Sequence, residues 1–215
     1  MKIGILGTGE VGQSLARGFL GLGHEVMIGS REAGGEKLAK ALAAAGAGAR
    51  GGTFAEAAAF GEVVALCCLG VAIESVLGLA GANNLEGKVL IDATNPLDFS
   101  HGFPPRLAAL PDGSAGQLVQ RLAPGARVVK AFNTAGNHTY VNPSYAGGPP
   151  DMFICGNDDA AKATVTDLCK GLGWGTIDIG GIEGAHYLEA MCIVWVLHGA
   201  RSGKWGHAFK MLHGS

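Results

Sequence analysis

The sequence predicts an α/β protein with a doubly wound parallel sheet and a small C-terminal α/β extension. Three observations carry this. Short apolar runs alternate with helically spaced stretches over about 135 residues. The first run ends in a glycine-rich turn that leads straight into a helix. The 215 residues are 48% hydrophobic and 16% charged, enough apolar material for a core without covalent staples.

Lys2–Leu6 is a short apolar run that ends in glycine, and reads as a buried strand. From Val11 to Leu22 the apolar residues Val11, Leu15, Phe19 and Leu22 recur at helical spacing. His24–Ile28 is the next strand and Glu36–Ala45 an alanine-rich helix. Thr53–Phe60 reads as a short helix, because Thr53 and Glu56 have the spacing of a capping box. Strand Val63–Cys68, helix Ala72–Leu79, strand Lys88–Ala93, helix Ser114–Leu122 and strand Arg127–Phe132 follow. Gly, Asn and Pro dominate from Phe132 to Asp151, and Pro149-Pro150 marks a boundary. The expected division is a nucleotide-binding domain over 1–148 and an extension over 149–215. The extension holds strand Met152–Cys155, helix Asp159–Leu172, strand Thr176–Ile179 and a long apolar helix from Glu183 to Ala200. It is too small for its own core, so it packs on the first unit or forms a dimer.

Glycine (37) and alanine (33) make up about a third of the chain, which predicts close-packed layers and tight turns. A formal charge of −2 offers no footprint for nucleic acid or an anionic membrane. The longest late apolar stretch, Ala190–Leu197, falls far short of the ~20 residues of a membrane span. The N-terminus has no signal-peptide pattern. Five cysteines without a C-x-x-C spacing read as buried small hydrophobes in a reducing compartment, so the expected location is the cytoplasm.

Gly7-Thr8-Gly9-Glu10-Val11-Gly12 matches G-x-G-x-x-G. The motif is generic in a glycine-rich chain, but here a strand precedes it and a helix follows it. Gly7 permits the turn, Gly9 the approach of a pyrophosphate, and Gly12 close packing of helix on strand. The pyrophosphate then lies on the helix N-terminus, and the fold is Rossmann-type. NAD-binding members of this fold place an acid at the end of the second strand. Here that strand ends Met27-Ile28-Gly29-Ser30-Arg31. Ser30 can donate to a 2′-phosphate, Arg31 can pair with it and stack on adenine, and Lys37 can add charge. The expected cofactor is therefore NADP. Glu32 is a counter-argument unless it points to solvent.

Ligands of doubly wound sheets lie outside the carboxyl ends of the strands. Cys68-Leu69, Ala93-Thr94-Asn95-Pro96 and Asn133-Thr134 occupy such ends. Thr94 and Asn95 can bind a carboxamide or ribose, and Pro96 stiffens the turn; Asn95 reads equally well as a turn residue before proline. No catalytic residue stands out. The histidines lack metal-ligand spacing, so no metal is expected, and no Ser-x-x-x-Tyr-x-x-x-Lys arrangement occurs. Hydride transfer between two planar rings needs stacking and distance rather than a strong acid.

Several segments resemble the F420-dependent NADP oxidoreductase family, which includes the cytosolic reductase domain of membrane ferric reductases. They are Lys2–Gly12, Gly23–Arg31, Asp92–Pro96, Val129–Thr134 and Asp151–Gly156. The resemblance runs through nearly the whole chain. It implies NADP bound by Thr8 to Val11, Ser30, Arg31, Cys68-Leu69 and Ala93 to Pro96. It also implies hydride exchange with a stacked deazaflavin or flavin (coenzyme F420, FMN or FAD) near Asn133-Thr134 and the C-terminal helix. One departure stands out: archaeal members carry His-Thr-Ile-Pro where this chain has Asn133-Thr134-Ala135-Gly136.

Two other readings fit the same residues. A small imine or keto-acid reductase would normally add a large helical domain, for which the residues after Pro150 leave little room. A non-enzymatic NADP redox sensor is the third reading. In the last helix, Leu188, Met191, Cys192, Trp195 and Val196 form an apolar face that serves internal packing or a homodimer seam, a homodimer being the expected state.

Overall fold

The computed structural model describes residues 1–214. In chain order the elements are β1 (Lys2–Leu6), α1 (Glu10–Gly21), β2 (Glu25–Ser30), α2 (Glu36–Ala45), β3 (Arg50–Thr53), α3 (Phe54–Phe60) and β4 (Val63–Leu66). Then come α4 (Ile73–Ala80), β5 (Val89–Asp92), the two-residue strands β6 (Leu97–Asp98) and β7 (Arg106–Leu107), α5 (Ala115–Leu122) and β8 (Arg127–Lys130). The chain closes with β9 (Asp151–Gly156), α6 (Asp159–Gly171), β10 (Gly175–Asp178) and α7 (Ala185–Ser202).

Eight strands form one sheet in the order β10-β9-β8-β5-β4-β1-β2-β3. From β3 to β8 every pairing is parallel, and the order reverses beside β1, as in a Rossmann-type fold. β9 runs antiparallel to β8 (Val129 opposite Gly156), and β10 returns parallel to β9. The C-terminal segment thus continues the sheet rather than stacking beside it. β6 and β7 make a separate antiparallel pair at the carboxyl edge.

Alternation along the strands divides the core in two. Ile3, Ile5, Val63, Ala65, Val89, Ile91 and Val129 face α1, α2 and α6. Leu6, Val64, Leu66, Leu90 and Val128 face α3, α4, α5 and α7. Buried on both faces, β4 reads as a continuous apolar run, and so does β5 up to its last residue, Asp92. The capping box at Thr53 is present: its hydroxyl accepts from the Glu56 N–H at 3.2 Å and its own N–H reaches the Glu56 carboxylate at 2.7 Å.

Three short strands are absent from the sequence-based expectation. β3, Arg50-Gly51-Gly52-Thr53, has no apolar alternation and becomes a strand because β2 supplies an edge for it. The β6–β7 pair is too short to leave a pattern. In α7 the residues named for a possible seam are spent inside the chain. Leu188 is buried in the core, with Met191 packed against it, while Cys192 and Val196 are buried beside the half-buried Trp195 along the wall of a cavity. The exposed apolar residues of α7 are Tyr187, Val194 and Leu197 instead. Among the described residues, no helix is long and apolar enough to cross a membrane.

Candidate functional site

A cleft of about 780 Å³ runs along the carboxyl edge of β1, β2 and β4. Its floor is the fingerprint. Gly7 has φ +146, and a Cβ there would stand 2.2 Å from the Cys67 carbonyl oxygen, so only glycine makes this turn. Gly12 lies against the Gly7 carbonyl and the Ile5 side chain, outside the cleft lining, as expected of a packing residue. A Cβ on Gly9 would meet nothing within 4 Å. Gly9 is also the N-cap of α1 and supplies no side-chain cap. The first-turn N–H groups of α1, with its positive dipole end, therefore face an open cradle. Gln13 steadies the loop by donating from Nε2 to the Thr8 carbonyl at 2.8 Å.

The far end of the cleft is built by β2 and α2. Ser30, Arg31, Glu32, Glu36 and Lys37 all line it. Among the described residues Arg31 and Lys37 enter no ion pair. Glu36 is neutralised by Lys40 at 2.7 Å. Glu32 lines the cleft but leans over Gly35, the N-cap of α2, which also lacks a side-chain cap. Two free cations against one free carboxylate leave this end net positive. The anion cradle in the middle and the cations at the end fit a dinucleotide with a third phosphate.

Cys67, Cys68, Leu69 and Ala93 close the opposite end. Burial pushes the Cys68 thiol up to about 12, helped by the Asp92 carboxylate, and Cys67 higher still. Neither sulfur is a nucleophile near neutrality. All five cysteines are free.

Beyond Ala93 a second cavity of about 350 Å³ opens between the turn after β5, the loop after β8, and α7. Val11, Ala93 and Asn137 line both cavities, so the two spaces meet. The second is walled by Phe132, His138, Trp195 and Trp205, with Asn95 and Asn133 among its polar residues. Asn95 and Asn133 interlock. Asn95 Nδ2 donates to the Asn133 carbonyl at 3.0 Å, and Asn133 Nδ2 donates to Asn95 Oδ1 and to the Leu188 carbonyl, each at 3.0 Å. Phe132, just before Asn133, holds φ +62, a costly conformation for an aromatic residue. The Tyr140 hydroxyl donates to its carbonyl, and Met152 Sδ receives its N–H at 3.2 Å.

Behind these residues lies a buried ionic cluster. Lys130 Nζ donates to Asp92 Oδ2 at 2.9 Å, Glu189 Oε1 at 2.8 Å and the Thr94 carbonyl at 2.7 Å. Burial alone would lower this ammonium pKa, but the Asp92 and Glu189 carboxylates outweigh it and hold the pKa raised. Asp92 Oδ1 accepts from the Thr94 N–H and hydroxyl, and Glu189 accepts from the Ala115 and Gly116 N–H groups that start α5. The Thr94 hydroxyl is therefore turned into the sheet, and Thr94 and Pro96 line neither cavity. The remaining motif residues, Thr8, Glu10 and Val11, line the first cleft. Leu38, Phe54, Ala72 and Val76 also wall the first cleft, although their spacing is that of ordinary helix core; Trp205 joins the second cavity without any sequence signal, and Trp195, named above for the apolar face of the last helix, lines that cavity too. No group of His, Cys, Asp or Glu among the described residues could hold a metal ion.

A family model described as "NADP oxidoreductase coenzyme F420-dependent" matches residues 2–96. The F420-dependent NADP reductase of Methanothermobacter marburgensis is 34% identical over 203 residues, covering 88% of each chain. The chain belongs to the F420-dependent NADP oxidoreductase family. As a member it is an NADP-dependent oxidoreductase, and NADP and coenzyme F420 are the cofactors of this family. Metalloreductase STEAP3 of Rattus norvegicus is 32% identical over 199 residues, 88% of this chain, which spans 36% of the length of that relative. A solved structure from Arthrobacter sp. FB24, assigned as a candidate F420-dependent NADP-reductase, superposes with a TM-score of 0.91 at 40% identity. The match covers 99% of this chain and 100% of that one. An imine reductase of Streptomyces aurantiacus shares the fold: TM-score 0.67, 21% identity, 95% of this chain and 64% of that one.

Proposed function

We propose that this F420-dependent NADP oxidoreductase family member holds NADP in the first cleft and a planar deazaflavin- or flavin-like acceptor (F420, FMN or FAD) in the second cavity. The observation that carries the reading is the junction at Val11, Ala93 and Asn137, where the two spaces meet. The α1 N-terminus receives the pyrophosphate; Arg31 and Lys37 receive the 2′-phosphate, whereas the Ser30 hydroxyl, expected to join them, donates instead to the Glu32 carbonyl and shapes the turn; Cys68, Leu69 and Ala93 bound the nicotinamide end. Trp195 and Trp205 supply flat apolar walls for the acceptor, and His138 adds a polar ring beside them. When bound, the cofactors supply the hydride chemistry; the protein supplies alignment. Burial raises the Tyr140 hydroxyl, and raises the Cys192 thiol to about 11, so neither is a ready proton donor.

Anaerobic NADPH oxidation with F420, FMN or FAD tests the proposal. Turnover with one of the three is expected. Turnover with a cyclic imine or keto acid alone would make the enzyme a small reductase. Tight NADPH binding without any turnover would make it a sensor. The free thiols support a reducing, cytoplasmic setting. The outward stripe Tyr187, Val194 and Leu197 supports a homodimer, which a monomeric mass in solution would exclude.

A further inference from the structure

The cluster of Lys130, Asp92 and Glu189 is larger than fold stability asks for. Lys130 and Asp92 are fully buried and Glu189 nearly so. Burying three ionised groups carries a desolvation penalty that apolar side chains of similar volume avoid. What a fully satisfied ionic network supplies is a fixed geometry. Here satisfaction is complete: all three ammonium N–H groups have acceptors, and each of the four carboxylate oxygens has at least one donor.

The groups that the network fixes are the neighbours of the second cavity. Lys130 grips the Thr94 carbonyl and Asp92 grips the Thr94 N–H and hydroxyl, so all polar atoms of Thr94 are tied down one residue before Asn95. Glu189 ties α7 to the start of α5 one residue after Leu188, whose carbonyl accepts from Asn133. Lys130 itself closes β8, three residues before Asn133. The three anchors surround the Asn95–Asn133 pair. None of them touches the fingerprint or the Ser30–Lys37 end, and at the nicotinamide end the network reaches the cleft only through Ala93, next to Asp92, and through the charge of Asp92 on the neighbouring Cys67 and Cys68 thiols.

We infer that Lys130, Asp92 and Glu189 are positioning residues of the second cavity, holding the Asn95–Asn133 pair in the register that receives the acceptor. The inference rests on the proposed function only for its kinetic arm. Asp92→Asn and Glu189→Gln each remove one negative charge from Lys130 while keeping shape; Lys130→Met is the severe variant. Each protein is studied at the same interval below its own Tm, which removes the effect of global stability. Hydrogen exchange of the Asn95 and Asn133 side-chain amides, followed by NMR, should quicken roughly tenfold, with Ile5 and Ile28 amides unchanged. With NADPH fixed, the KM for F420 or FMN should rise roughly tenfold while the NADP Kd stays within about twofold. Exchange that quickens everywhere alike, or at neither asparagine, overturns the inference. So does an NADP Kd that moves in step with the acceptor KM. If the unaltered protein turns over none of the acceptors, the proposed function fails, and the exchange result alone decides the positioning role.

Discussion

Arg31→Ala is the most informative single change at the adenosine end. Arg31 is exposed, lines the cleft and is free of ion pairs, so its removal leaves no orphaned partner in the protein. A charge-assisted hydrogen bond to a phosphate dianion contributes about 1.5–3 kcal/mol. At an exposed, screened position about 1.5–2 kcal/mol remains, which weakens NADPH by roughly 12- to 30-fold. NADH has no 2′-phosphate and loses at most stacking on adenine, no more than about fivefold. Lys37 remains in the variant and retains part of the preference. Fluorescence titration with both nucleotides measures the ratio. Raising salt from about 0.1 to about 1 M shortens the screening length from about 10 to about 3 Å, and should weaken NADPH more in the unaltered protein than in the variant. Equal weakening of NADPH and NADH, or no change in either, refutes the assignment of this end to a 2′-phosphate.

The two leading glycines should separate folding from binding. Gly9→Ala adds a methyl that meets no protein atom within 4 Å, so Tm should hold while NADPH binding falls at least about tenfold in titration. Gly7→Ala places its methyl 2.2 Å from a carbonyl oxygen at φ +146, and should cost more than about 2 kcal/mol in chemical denaturation. The Cys68 thiol, raised to about 12, should react with a maleimide at pH 8 at least about tenfold more slowly than an ordinary thiol, because the loss of thiolate is only partly offset by the greater nucleophilicity of what remains. Its reactivity should climb with pH well above 9; a plateau near pH 9 would contradict the burial argument. Tyr140→Phe strands the buried Phe132 carbonyl and should cost about 1–3 kcal/mol by urea denaturation. No loss of stability would show that another donor serves that carbonyl.

The order of strands and helices, the phosphate-binding turn and the missing acid after β2 could all be read from the sequence. Each is written within a few consecutive residues: period-two or helical spacing, glycine at three set positions, Ser30-Arg31 where NAD-binding members place a carboxylate. β3 escaped because Arg50-Gly51-Gly52-Thr53 has no periodicity of its own and is a strand only beside β2. What the tertiary structure alone decided depends on residues far apart in the chain. The Lys130–Asp92 and Asn95–Asn133 contacts each join positions 38 apart, and Glu189 reaches Ala115 across 74. Sheet order brings them together, and no local spacing encodes sheet order. The same holds for α7, apolar on nearly every side. Its spacing picks out the stripe of Leu188, Met191, Cys192, Trp195 and Val196 but cannot say whether this chain or a second copy covers it; the fold packs Leu188 into the core, sets Cys192, Trp195 and Val196 along the second cavity, and leaves Tyr187, Val194 and Leu197 outside.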